Sequence, residues 1–270
     1  MQTDRGANAV RALRIRPHRN RLTAGLVWHA ILAAFMSAAL PGSARAVDIW
    51  SPAAVVELFT SQGCSSCPPA DKVLSELNSG HRILGLSMHV DYWDRLGWKD
   101  TFASPENTKR QWEYARALGE RQVYTPQAVV NGQNHVVGSR KSNILSSIRS
   151  QDENDAGLSV PIVASVTDGV LHVRVDGAMT PDSTLYAVYF DPRRDVEVKR
   201  GENAGRTITY SNIVRRVEML GMTGADGIDA EFKISDMEAK GYKGCALILQ
   251  QTTGNGLPGA ILGATVLSDL

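Results

Sequence analysis

An α/β domain followed by an antiparallel, β-sandwich-like domain is the fold class that this 270-residue sequence predicts. Three observations carry the prediction. Residues 53–149 alternate short apolar runs with amphipathic stretches. From about residue 158 onward, apolar residues recur at every second position. Between the two patterns lies a polar run, Gln151-Asp152-Glu153-Asn154-Asp155-Ala156-Gly157. Alternating strands and helices pack helices on a sheet, whereas a period of two with frequent turn signals describes antiparallel strands. The expected organisation is a leader over 1–46, an α/β domain over 47–153 and a β-rich domain over 158–270.

The leader reads as a secretory signal. Arg5, Arg11, Arg14, Arg16, Arg19 and Arg21 form a basic region, and Ala24 to Leu40 is mostly apolar. Pro41-Gly42 then breaks the run, and Ala44-Arg45-Ala46 fits the small-x-small cleavage rule. The apolar run is short for a bilayer span, so removal is expected over anchoring. The leader lacks an Arg-Arg pair, which favours the general secretory route. These features predict a periplasmic or secreted protein with no membrane attachment once the signal is gone. The leader holds seven Arg and one Asp, so the chain's +1 becomes about −5 for the remainder. A mildly acidic protein has no electrostatic case for nucleic acid.

Within the first domain, Ala53 to Thr60 reads as a buried strand, Ala70 to Leu77 as a helix and His81 to Val90 as a second strand. Ser104-Pro105-Glu106 opens another helix, with serine at the cap, proline at the first helical position and glutamate near the positive dipole end. Gly119 stops it. Gln122 to Val130 is expected as a strand, turned by Asn131-Gly132 into Asn134 to Val137, and Ser142 to Arg149 as a last helix. Consecutive Pro68 and Pro69 place the start of the first helix in doubt, because Pro69 cannot donate a backbone bond. In the second domain, strands are expected at 160–167 and 170–176, turned at Asp168-Gly169. Further strands are expected at 184–190, 195–200, 206–217, 231–234, 245–251 and 260–266.

Cys64-Ser65-Ser66-Cys67 falls between the first strand and the first helix. A CxxC in that position is the thioredoxin arrangement, and in an oxidising compartment it is a disulfide unless something reduces it. Cys64, beside a helix N-terminus, is the candidate nucleophile, and Cys67 the resolving thiol. Thr125-Pro126 fits the loop that holds a cis-proline facing the CxxC, and both residues are candidates for substrate contact. Glu57, seven residues before Cys64, is a candidate general base whose pKa burial would raise. Asp71, one turn past Cys67, is a second. Tyr92, Trp93 and Trp98 read either as core or as an apolar wall for a partner peptide, with Trp93 a candidate substrate contact. Cys245, in the apolar run Gly244 to Leu249, is expected to be an inert core thiol.

The runs Val56 to Asp71, His89 to Asp94, Val123 to Gln127, Val130 to Gly132 and Gly201-Glu202-Asn203-Ala204-Gly205-Arg206-Thr207 resemble the signatures of a bacterial family of secreted proteins of unknown function. The resemblance covers essentially all of residues 53–270. It implies a thioredoxin-like domain with a β-rich C-terminal extension, and no particular reaction. The function expected is an exported thiol–disulfide oxidoreductase, an enzyme exchanging the Cys64–Cys67 disulfide with protein thiols and served by a redox partner the sequence does not identify. No cofactor or metal is expected. Two rivals remain: copper or zinc binding through the CxxC with Met88 and His89, and a non-catalytic binding module.

Overall fold

A computed structural model describes residues 47–176, 183–224 and 226–268, so the expected leader over 1–46 lies outside the described residues. They form a mixed α/β unit with one large sheet and few helices. The chain enters through β1 (Asp48–Trp50) and continues into β2 (Ala54–Thr60), in which every residue is buried. α1 (Pro68–Asn78) then leads to β3 (Ile83–His89), which pairs parallel to β2. Pro68 and Pro69 take the first two helical positions, where an N–H has no intrahelical partner to lose. The doubt about the helix start is therefore resolved: Ala70 and Asp71 N–H donate to the Cys67 carbonyl at 2.8 and 3.1 Å.

α2 (Pro105–Ala117) starts as the capping signal predicts, with Asn107 N–H donating to Ser104 Oγ at 3.1 Å. The next strand is shorter than expected. Only β4 (Gln127–Val130) joins the ladder, because Tyr124 to Pro126 turn toward the cysteines. Asn131 and Gly132, at φ of 46° and 68°, turn it into β5 (Asn134–Val137). α3 (Lys141–Glu153) runs into the polar stretch, because Ile144, Ser147, Ile148 and Gln151 keep one buried face at helical spacing.

β6 (Val163–Thr167) and β7 (Val170–Val175) form the hairpin predicted at Asp168-Gly169. The strands expected at 184–190 and 195–200 are one strand, β8 (Ser183–Glu197), paired along its length with β9 (Thr207–Met222). Pro192, between the two expected strands, falls at a position absent from the ladder. β10 (Ile228–Lys233), α4 (Ile234–Glu238), β11 (Gly244–Thr252) and β12 (Pro258–Ser268) complete the order.

The nine-stranded sheet has the order β1-β12-β11-β8-β9-β3-β2-β4-β5, and a second sheet has the order β10-β7-β6. β9 lies parallel to β3 through Ser87 and Ile213, so strands from both sides of the polar run share the large sheet. The described residues cluster as one compact unit. The small sheet packs Leu171, Val173 and Val175 against Leu185, Ala187 and Tyr189 of β8 and Leu247 and Leu249 of β11. At the other end, the alternation of β2 separates two cores. Ala54, Val56 and Leu58 meet Ala70 and Leu74 of α1 and Ile144 of α3, whereas Val55 and Phe59 meet Tyr114 of α2. Among the described residues, no helix is long and apolar enough to cross a membrane.

Candidate functional site

Cys64 and Cys67 form a disulfide with a Cα–Cα separation of 5.4 Å, and Cys67 is the N-cap of α1. Both cysteines are 0% exposed. The turn that presents them is closed by Cys64 N–H to the Ser61 carbonyl and Cys67 N–H to the Cys64 carbonyl, each 3.2 Å. Gly63 lets this turn approach the aromatic loop, since a Cβ there would lie 3.2 Å from Trp93 Cβ.

Hydroxyl groups bracket the Cys64 sulfur. Thr125 Oγ1 donates to Cys64 Sγ at 3.3 Å, and Ser66 Oγ lies 3.4 Å from the same atom. Trp93 Nε1 donates to Thr125 Oγ1 at 2.8 Å, which fixes the threonine rotamer. The Thr125–Pro126 bond is cis. The structure thus brings Cys64, Cys67, Thr125, Pro126 and Trp93 together. Donors at Cys64 and the helix start at Cys67 are groups that favour a thiolate over a thiol.

Glu57 is not brought to the disulfide. It points to the α2 face of β2, where Arg110 donates to both carboxylate oxygens at 2.6 and 3.1 Å and Tyr114 OH donates to Oε2. Its spacing from Cys64 fits a base, but the period of two places it on the wrong side of the sheet. The carboxylate on the α1 side is Asp71. It accepts from Thr60 Oγ1 at 2.8 Å and is 2% exposed. Burial raises its pKa to about 7, against the lowering effects of the His89 charge and the Thr60 hydrogen bond.

Behind Asp71 lies a buried polar group. His89 Nδ1 is 2.8 Å from Asp100 Oδ2, and the His89 ring meets Tyr210 at 4.6 Å and Phe102 at 5.3 Å between centroids. Burial pushes the Asp100 carboxyl up, but His89 and the N–H groups of Gln62 and Phe102 outweigh it and hold it below its ordinary value. The Tyr210 hydroxyl is pushed up by burial and by the Asp71 and Asp100 charges. Asp71 Oδ2, His89 Nε2 and Tyr210 OH are buried without a hydrogen-bond partner among the described residues.

The loop between β8 and β9 supplies contacts that the sequence reading missed. Asn203 Nδ2 donates to the carbonyls of Cys64 and Gln62 at 2.8 and 3.0 Å, and Ser65 N–H donates to Glu202 Oε2 at 3.1 Å. Arg206 orients Asn203 through Oδ1 at 3.2 Å. Gly201 and Gly205, at φ of 77° and 79°, allow the reversals that aim Asn203 inward. Their run was recognisable as a motif, but nothing local tied it to cysteines about 140 residues away. Asp100 was missed for the same reason; it fixes Gln62 N–H at 2.7 Å. Trp98 Nε1 donates to Gln62 Oε1 at 2.8 Å, and Tyr92 OH to Gln111 Oε1 at 3.2 Å, so these aromatics brace the loop.

Met88 and His89 point to opposite faces of β3, and Met88 packs beside Phe59 and Tyr114 in the α2-side core. That geometry does not let both join the cysteines around one metal ion. Cys245 is a buried free thiol whose pKa burial pushes up to about 12, opposite to what a nucleophile needs.

A family model described as "Protein of unknown function (DUF1223)" matches residues 55–250, and the chain belongs to that family. A crystal structure of protein AGR_C_4864 from Agrobacterium tumefaciens is 36% identical, with a TM-score of 0.73 over 82% of this chain and 96% of that one. HBP35 of Porphyromonas gingivalis shares the fold more distantly, at 16% identity and a TM-score of 0.51 over 80% of this chain and 75% of that one. No curated protein matches the chain.

Proposed function

We propose that this protein is an exported thiol–disulfide oxidoreductase of thioredoxin-like character, working through the Cys64–Cys67 pair on protein thiols. The observation that carries the reading is the pair's setting: a disulfide at a helix start, with the Thr125 hydroxyl donating to Cys64 Sγ. A cross-link over a sequence separation of 3 closes almost no loop, so it stabilises the fold less than a long-range staple would.

A partner thiolate attacks Cys64 Sγ, forming a mixed disulfide and expelling Cys67 as thiolate. Cys67 takes up a proton, for which Asp71, near its own pKa of about 7 and one turn along the helix, is the donor. A second partner thiolate then attacks the partner sulfur of the mixed disulfide and releases Cys64. Two partner thiols become one disulfide while the Cys64–Cys67 disulfide becomes two thiols; the reverse order oxidises the protein. Thr125 and Ser66 stabilise charge on Cys64, and Trp93 holds Thr125. Both cysteines are fully buried, so the residues over them move aside before a partner sulfur makes contact.

The test is the reduction potential of the pair, titrated in thiol buffers and read by alkylation and mass. A reversible couple between roughly −120 and −270 mV supports exchange, and one below about −300 mV makes the disulfide a structural staple and ends the proposal.

A further inference from the structure

Beside the disulfide, α1 and the β8–β9 ribbon border an open cleft of about 520 Å³, a size typical of ligand sites. Its lining includes Pro68, the residue after Cys67, and Ile208. Lys72, Arg193 and Arg206 line it, and none of the lining residues is acidic. Two acidic groups flank the cations: Asp195 is paired with Arg193 at 3.3 Å, and Glu76 feels the charge of Lys72. Arg206 also donates to Asn203, which holds the Cys64 carbonyl, so one wall of the cleft is bonded to the disulfide loop. This cationic surface stands on a chain whose residues 47–270 are net negative, so its charge is a local arrangement.

We infer that this cleft receives an acidic segment of the polypeptide whose thiol or disulfide exchanges with Cys64–Cys67. The three cations come from three places along the cleft: Lys72 from α1, Arg193 from β8, and Arg206 from the turn before β9. That spread suits side-chain carboxylates along an extended chain better than one compact anion. Charge complementarity of this kind acts mainly on encounter rate and partner choice. The inference rests on the exchange reading and names its substrate class.

Two readouts separate them. The first is binding of a cysteine-free aspartate-rich peptide to the full protein with its signal removed. Binding should weaken about tenfold in Lys72→Glu/Arg193→Glu and fade in high salt. The second is exchange with three peptides of equal length, each with one cysteine flanked by aspartate, serine or lysine. Rates should fall in that order, and the double variant should lose the order while its reduction by dithiothreitol is unchanged. Equal binding by the double variant overturns the inference whatever the exchange rates. So does an acidic tripeptide that binds as tightly as the extended peptide, since the cleft would then serve a small anion. Salt-sensitive binding without exchange by any peptide leaves the cleft standing as an acidic-peptide site and defeats the exchange reading instead.

Discussion

On the α2 side of β2, Glu57 is met by Arg110 on both oxygens, by the Tyr114 hydroxyl, and through these by Gln250, whose side chain contacts both Arg110 and Tyr114. On the α1 side, Asp71 has one side-chain donor, Thr60, and its second oxygen is buried without a partner among the described residues, as are His89 Nε2 and Tyr210 OH. The first cluster contains a cation, Arg110, bonded to both oxygens of its carboxylate. The second lacks one in contact with Asp71, so burial dominates and lifts the carboxyl toward neutrality. Two buried carboxylates, on opposite sides of one sheet, thus serve opposite ends. A satisfied network specifies packing, whereas a partly satisfied one beside a disulfide leaves a proton free to come and go.

The largest expected effect comes from breaking the satisfied side. Arg110→Met leaves the Glu57 carboxylate buried without its cation and should cost about 3–5 kcal/mol in urea unfolding. The same variant should leave the rate of disulfide reduction unaltered, because Glu57 and the cysteines lie on different faces. A slowed reduction would mean that the two sides are coupled.

Asp71→Asn probes the other side. The folded-state pKa of about 7 lies above the ordinary 3.8, so the native protein holds a proton that the unfolded chain releases between these values. Stability from this group is therefore present below about pH 4 and is lost as pH rises through 7. Asparagine never charges and still accepts from Thr60. The variant should be more stable than the parent at pH 8, by up to about 4 kcal/mol, and should show no advantage at pH 4. A variant less stable at pH 8 contradicts the assignment of Asp71 as the strained carboxylate.

Asn203→Ala is the smallest of the three. It strips a donor from two buried carbonyls, of which the Cys64 carbonyl keeps Cys67 N–H, and should cost about 1–3 kcal/mol. It should also speed reduction of the pair by dithiothreitol, since the turn that carries Cys64 loses its tie to the β8–β9 loop. Unchanged stability with unchanged reduction would remove Asn203 from the account.

The site is legible in the sequence where its parts are local. Cys64 and Cys67 are marked by spacing between a strand and a helix, and Thr125-Pro126 by its place before a strand. Ser104 caps its helix, and Asn131-Gly132 turns its hairpin, because each uses chemistry within four residues. Glu57 was misplaced because distance along a strand says nothing about which face a side chain takes. Its fate was decided by Arg110, 53 residues on. β8 was read in sequence as two strands, 184–190 and 195–200. Only its pairing with Thr207 to Met222 makes it one strand, and pairing across a sheet is not written in either segment alone.

The bond from Asn203 to the Cys64 carbonyl spans 139 residues. A chain made from its N-terminus has both cysteines in place long before the asparagine that holds the Cys64 carbonyl exists. The order of synthesis therefore gives the pair two settings: one before residue 203 exists, without that bond, and one after it, in which the Cys64 carbonyl is tied across the fold.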